Sequence, residues 1–352
     1  MSARLGNDRP PRFFGSAIGV IIVSGYLIGQ LAQPQSTLFT PRSIGAEPES
    51  QSVQSQVSIH SKKPILSSII KSTAEYSLFH PRTLRTDRYE NIYVVDAGDN
   101  LVKKFSRDGK LLMKFGKGKG SGPGEFLNPR DFTVDAEMNI WVCDGKTGLV
   151  TVFRQDGSLL RTIRINAVPL RIEVLSSNQF VLMLDGQDGL FAFYDSLGRR
   201  MLGFGRLIEE QVKYGIVLDG ALARLGSRAI VFAPYYSGLL ARFSHKGESE
   251  FLVRTIVEIP WPRITLSPDG GSSIDHRNVP LAALALSCWQ DTLYVLSRVG
   301  PQDAKESRID VYSAQDGKYV HSIVLGQRVR DAVVTGAHIF SLADTTITVW
   351  KR

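Results

Sequence analysis

Residues 87–116 read DRYENIYVVDAGDNLVKKFSRDGKLLMKFG, and residues 135–165 read DAEMNIWVCDGKTGLVTVFRQDGSLLRTIRI. At an offset of 48 residues the two align without a gap: Asn91 falls on Asn139, Ile92 on Ile140, Val94 on Val142, Asp96 on Asp144, Phe105 on Phe153, and Asp108-Gly109 on Asp156-Gly157. A fixed period of about 40–50 residues marks a solenoid or a propeller. Within each copy the β-branched and aromatic runs NIYVVD and NIWVCD, then LVKKF and LVTVF, predict strands. Asp-Gly, a favoured hairpin pair, separates these from LLMKF and LLRTI. A further strand precedes each set, at 83–86 and 131–134. Four antiparallel strands with both faces largely apolar must be covered on both sides, and a radial array of such sheets does this.

Weaker copies continue along the chain. Residues 193–205 (FYDSLGRRMLGFG) match at offset 89 with Gly198 on Gly109, and residues 228–248 match at offset 138 with Ile230 on Ile92 and Gly247 on Gly109. Residues 291–323 form a fifth copy with one extra residue before Asp316-Gly317, and residues 337–352 supply only the inner three strands of a sixth. The missing outer strand is expected from within residues 65–77. It would pair both ends of the domain in one sheet and remove a free edge.

The stretch GKGKGSGPGEFLNPRDFTVDAEMNIWVCD, residues 116–144, resembles the NHL-type six-bladed β-propeller family. It carries a glycine-rich connection of the form G-x-G-x-G-P-G-x-F, a proline, an inner strand and an I-W/Y-V-x-D strand. The resemblance covers about residues 65–352 and is most specific over 81–165. It implies an all-β six-bladed propeller. It implies less about activity, because propellers of this family serve as binding platforms, RNA binders and occasionally lyases or hydrolases.

Composition agrees with a large folded domain. The chain has 352 residues, 43% hydrophobic and 22% charged, enough apolar matter to bury a core. Its two cysteines, Cys143 and Cys288, are too few for a disulfide framework or a structural zinc cage. They fall in different copies and are expected as separate buried thiols. Forty-two basic residues against 34 acidic ones leave a net charge of +8, which favours anionic partners without bearing on the fold.

Ahead of the repeats, residues 1–12 carry Arg4, Arg9 and Arg12, and residues 13–32 (FFGSAIGVIIVSGYLIGQLA) run uncharged for twenty positions. A helix of that length spans roughly 30 Å, the thickness of a bilayer core. The basic flank predicts a cytoplasmic N-terminus and an exported remainder. Gln30 at the −3 position of a cut after Ala32 is poor for cleavage, so a transmembrane signal anchor is favoured over a cleaved signal peptide. Residues 33–64, rich in Gln, Ser and Pro, read as a disordered linker. The expected division is therefore a basic cytoplasmic N-region (1–12), an anchor (13–32), a linker (33–64) and a propeller (65–352) held outside the cytoplasm; a cleaved N-terminal segment would make it a secreted protein.

The candidate chemistry is sparse. Glycines 116, 118, 120, 122 and 124 alternate and precede a strand, so they do not form a phosphate-cradling loop. The six histidines lack the i, i+4 spacing of a helical metal site. His80, His245 and His321 do not occupy equivalent inner-strand positions, as a zinc-dependent lyase of this architecture would need. No axial Glu/Asn/Asp set of the calcium-dependent lactonase type is legible. Asp96 and Asp144 end strands and are expected to accept hydrogen bonds from turn amides.

One pattern stands apart. Inner strands are entered through Pro81-Arg82, Pro129-Arg130, Pro169-Leu170-Arg171 and Arg330-Asp331. Four arginines from different blades could converge on the channel mouth and take a carboxylate or phosphate; alternatively each pairs with a nearby carboxylate such as Asp131 or Asp331. Two long loops, 258–280 and 297–308, lie on the same face, the first carrying Trp261, Arg263 and Arg277. The expected function is an exported, membrane-tethered binding or scaffold module for a protein or anionic small-molecule ligand, using Arg82, Arg130, Arg171, Arg330, Trp261, Arg263 and Arg277. No catalytic residue, metal or cofactor is assigned, and nucleic acid is not expected for an exported domain. The alternative is a lactonase-like hydrolase or lyase with an axial divalent metal.

Overall fold

The computed structural model of the protein describes residues 61–72, 76–176, 179–185, 189–207, 218–256, 259, 264–266, 272–274, 281–298 and 306–352. Its strands form six sheets of four consecutive positions each, arranged as the blades of a propeller. Blade 1 runs Pro81–Thr86, Ile92–Asp96, Leu101–Phe105, Leu111–Phe115, and blade 2 repeats it as Pro129–Val134, Ile140–Asp144, Leu149–Phe153, Leu159–Arg164. Blade 3 begins at Val168–Ser176 and blade 4 at Gly220–Leu225; blade 5 begins at Leu281–Trp289. Blades 1 to 4 pair their strands antiparallel, in the order in which the chain makes them.

Blade 6 closes the ring. Its inner three strands are Asp331–Val334, His338–Ala343 and Thr346–Lys351, and its outer strand is Ile65–Ile70, antiparallel to Thr346–Lys351. The expected closure is thus present. One addition was not legible: Ser61–Lys62, read from composition as linker, lies parallel to Tyr319–Leu325 as a fifth strand of blade 5. The 258–280 loop also holds a short antiparallel pair, Ile264–Leu266 with Ser272–Ile274. Among the described residues no helix is long and apolar enough to cross a membrane. The proposed anchor at 13–32 lies outside the described residues, as do Trp261, Arg263 and Arg277.

The apolar core is divided among the interfaces between blades rather than gathered at the axis. Six buried clusters occur among the described residues, one for each neighbouring pair of blades. The cluster between blades 1 and 2, for example, holds Tyr93, Phe115, Phe126, Val142 and Phe153. Phe126 ends the glycine-rich connection, whose backbone closes on itself through Phe126 N–H to the Gly118 carbonyl and Gly120 N–H to the Phe126 carbonyl. That segment is an interblade loop, as its spacing implied.

The Gly of the hairpin between third and fourth strands recurs in blades 1 to 5, at Gly109, Gly157, Gly198, Gly247 and Gly317, each at positive φ. At Gly109 (φ +95°) a Cβ would lie 2.9 Å from Ile70 of the closing strand, and at Gly247 2.9 Å from Phe204 of blade 3. The turn therefore needs glycine twice, for its backbone conformation and for the approach of the preceding blade.

Repeated carboxylates hold the blades together. The Asp96 carboxylate accepts from the Phe79, His80 and Gly98 amides, and Asp144 accepts from Leu127, Asn128, Lys146 and Thr147. Each pins the incoming connection to the end of its second strand. Asp96 also meets the buried Lys103 ammonium at 2.8 Å. At the opposite end Asp87 accepts from Tyr93 Oη and Asp135 from Trp141 Nε1, so the same hairpin cap is written with two different aromatic donors. The two thiols are free and unpaired with each other, Cys143 being buried and Cys288 half-buried.

Within Ile65–Ile70 the two faces differ: Ile70 is 4% exposed and packs with Leu84 and Phe105 of blade 1, while Ile69 is 49% exposed. Ile70→Ala is expected to lower the unfolding free energy by about 2–5 kcal/mol, as for other buried Ile truncations, and Ile69→Ala by only about 0.5 kcal/mol. Denaturant unfolding of the two variants checks this. Equal effects would mean the strand is not seated in the ring.

Candidate ligand site at the channel mouth

Alternation along a strand sends every second side chain to the axis. The residues opposite equivalent second-strand positions are Thr83, Asp131, Arg171, Ala221, Ala285 and Asp331, one from each blade. All six line one cavity of about 330 Å³ that opens at the start of the inner strands, with Arg82, Arg85 and Arg330 on its wall. Arg85, Thr133 and Glu173 follow two residues deeper.

The expected arginines come together only in part. Arg82, Arg171 and Arg330 line the cavity, whereas Arg130 does not. Arg171 is not the equivalent of Arg130, as the Pro-Leu-Arg spelling suggested. Its strand register matches it to Asp131, because both sit past the same bulge: Pro129/Asp131 in blade 2 and Pro169/Arg171 in blade 3. It therefore points into the channel, where its guanidinium meets Asp219 at 2.9 Å and donates to Tyr235 Oη. Burial works against that charge, but Tyr235, Asp219 and Asp131 outweigh it and raise the Arg171 pKa.

The remaining pairings divide the arginines into two kinds. Arg130 reaches Asp219 at 3.4 Å, and Arg85 meets the buried Asp131 at 3.0 Å. By contrast, Arg82 donates to the Asn128 side-chain carbonyl at 3.2 Å and Arg330 to the Pro81 carbonyl at 3.2 Å. The acid nearest Arg330, Asp344 at 3.5 Å, is 95% exposed, so solvent screens it. Burial, then the nearby charge of Arg130, lowers the Arg82 pKa. Burial, with Arg328 and Arg330, does the same to Arg298, which lies at the same end of blade 5.

Arg85 and the tyrosines were missed in the sequence. Arg85 stands two residues beyond Thr83, so strict alternation along the inner strand was the available signal. Tyr235 and Tyr236 follow a second strand in a weakly matching copy and carried none. Among the described residues no group of three His, Cys, Asp or Glu is placed to hold a metal ion.

Known proteins resemble the chain at the level of fold. The DUF5128 family, described as a 6-bladed beta-propeller, matches residues 72–197, which covers blades 1 and 2 and the first three strands of blade 3. No curated protein matches the sequence. A protein of Bacteroides fragilis named as exported is 15% identical, with 82% of this chain and 95% of that one covered, at a TM-score of 0.56. The Cps50 (Swd1) beta-propeller domain of Myceliophteria thermophila is 12% identical over 82% of this chain and 99% of its own, at 0.52. Virginiamycin B lyase from Staphylococcus aureus is 10% identical over 81% and 98%, at 0.51. At such identities these structures establish the propeller and nothing about ligand or reaction.

Asp331 is buried beside this cavity, its carboxylate accepting from the Leu84 and Ala332 amides. Burial pushes its pKa up to about 6, although Arg85 pulls the other way. A carboxyl whose folded pKa is raised binds its proton more tightly in the folded state. Its ionisation penalty is thus fully present above about pH 6 and is relieved as pH falls toward the ordinary carboxylate value. Relative to Asp331→Asn, the wild-type protein is expected to gain about 1 kcal/mol of stability between pH 7 and pH 5. Urea unfolding of both at the two pH values measures it, and a difference independent of pH contradicts it.

Proposed function

We propose that the chain is an exported, membrane-tethered propeller, similar to the NHL type, that binds an anionic group at the axial mouth. The observation that carries this reading is the rim. Arg82 of blade 1 and Arg330 at the start of blade 6 face one cavity, and neither has a buried carboxylate partner among the described residues. Guanidinium groups held on strands of a closed ring are preorganised, which favours carboxylate or phosphate oxygens over water. The wider basic balance of the chain would steer anions toward it.

The tether is supported by the uncharged twenty residues at 13–32 behind three arginines. The 258–280 segment, with Trp261, Arg263 and Arg277, would flank the same mouth and extend its basic surface, as would the connection expected at 297–308, whose ends Ser297 and Arg308 are paired in strands.

Charge reversal at the rim tests the binding. Arg82→Glu with Arg330→Glu in the full chain is expected to weaken binding of acetate, phosphate or a Glu-rich hexapeptide at least tenfold by calorimetry, with an unchanged unfolding midpoint. Raising salt should weaken the wild-type affinity in parallel. Affinities indifferent to both changes would overturn the reading.

Protease added outside the cytoplasmic membrane tests the topology. It is expected to remove the propeller and leave a membrane-bound N-terminal fragment. Full protection of the intact chain contradicts export, and a mature protein beginning near Gln33 replaces the anchor with a cleaved signal.

A further inference from the structure

The axial cavity has two unlike walls. Blades 6, 1, 2 and 3 give it Asp331, Thr83, Asp131 and Arg171, whereas blades 4 and 5 give it Ala221 and Ala285 at the same level. One level deeper the split is confined to the first four blades, with Arg85, Thr133 and Glu173 in blades 1 to 3 and Ala223 in blade 4, while blades 5 and 6 give Ser287 and Val333. The apolar side is widened at the rim by Leu281 and Leu284, and Tyr235 and Tyr236 stand at its edge. The rings of Tyr235 and Tyr236 lie perpendicular, at 88°, and Arg171 sits 5.3 Å from the Tyr235 centroid.

Charge is arranged just as unevenly. Of the arginines on the cavity wall, Arg85 is paired with Asp131 and Arg171 with Asp219, which it shares with Arg130, so the positive charge left there for a guest belongs to Arg82 and Arg330. They come from adjoining strands of blades 6 and 1, since Arg330 donates to the carbonyl of Pro81, the residue before Arg82, and both line the one cavity. A head group with two oxygens in one plane can take one N–H from each guanidinium. A doubly charged phosphate would meet the same two donors but also the carboxylates of Asp131 and Asp331 on the wall, which a single negative charge tolerates better. Beyond the head group, only an apolar body gains from the Ala221, Ala285 and Leu281 surface. The volume, about 330 Å³, falls at the low end of the range of about 300–1,000 Å³ for small-molecule pockets. It suits a small guest rather than a folded segment.

We infer that the cavity takes a small amphipathic carboxylate, its carboxylate on Arg82 and Arg330 and its apolar body against Ala221, Ala285 and Leu281. The inference rests on the reading of the mouth as an anion site and adds the body that the anion carries.

The probes are 3-phenylpropanoate, acetate, inorganic phosphate and 3-phenylpropanol. They are titrated by calorimetry into the full chain held in phosphatidylcholine nanodiscs, with empty nanodiscs as blank. 3-Phenylpropanoate is expected to bind at least tenfold more tightly than each of the others. Arg82→Gln with Arg330→Gln should bring it down to the level of the alcohol. Leu281→Asn, at the half-buried rim, should weaken 3-phenylpropanoate at least threefold and leave acetate unchanged. Ala285→Leu, which fills the wall, should do the same; because it lies in a buried strand, the comparison of the four probes on the wild-type protein stands independently of its folding. Acetate or phosphate binding as tightly as 3-phenylpropanoate, with the arginine dependence kept, overturns the amphipathic guest and leaves the anion site standing. The alcohol binding as tightly as the acid overturns the carboxylate. Absence of binding by all four probes, with no effect of the arginine substitutions, overturns both the inference and the reading beneath it.

Discussion

Ile65–Ile70 lies against Thr346–Lys351, and from that pairing follow the closed ring, the buried edge of blade 6 and the axial cavity itself. A propeller blade buries both faces only when it has a neighbour on each side. With the closing strand absent, blade 6 would present three strands and an unpaired ladder, and blade 1 would lose Ile70 from the cluster that holds Leu84, Phe105 and Phe340. Gly109 shows how close the fit is, since a Cβ there would press on Ile70. The same kind of contact then passes from blade to blade, with each hairpin glycine resting on the outer strand before it.

The inner strands carry a second set of couplings. Asp331 of blade 6 accepts the Leu84 amide of blade 1 at 2.7 Å, and Asp131 of blade 2 accepts the Ile172 amide of blade 3 at 3.2 Å. Carboxylates at the axis thus join neighbouring blades while also setting the charge around the cavity. Burying them is costly unless they are hydrogen-bonded and paired, which is why Asp131 also meets Arg85. Blades 4 and 5 have alanines at the equivalent places and need no such network. The asymmetry of the site is therefore a by-product of how differently the blades solve the same packing problem.

The architecture was legible because it depends on periodic features. The offset of 48 between blades 1 and 2, the Asp-Gly hairpins and the incomplete final copy each reflect a local rule about strands or turns. Asp96 and Asp144 were equally readable, since an Asp at a strand end caps nearby amides wherever it occurs. The candidate site was legible only in outline. Arg82 and Arg330 lie where the Pro-Arg and Arg-Asp spellings implied, but Arg171, the second residue after its proline, takes the Asp131 position and not that of Arg130. A shift of one residue changes which side chain meets the axis, and counting from the proline, Pro169-Leu170-Arg171 on Pro129-Arg130-Asp131, was the signal that could have found it.

What the sequence determined by itself was the repeat, and with it the strands, their hairpins and the need for a sixth outer strand from the N-terminal side. Those are consequences of alternation and turn chemistry, which act over a few residues. Tertiary structure alone decided which charges cancel. Asp219 is 48 residues from Arg171 in the chain yet neutralises it at 2.9 Å, and Arg85 finds Asp131 across a blade boundary. Tyr235, from a copy with little resemblance to the first, becomes part of the cavity wall. Ion pairing depends on distances across the ring, and these are fixed only when all six blades have closed around one axis.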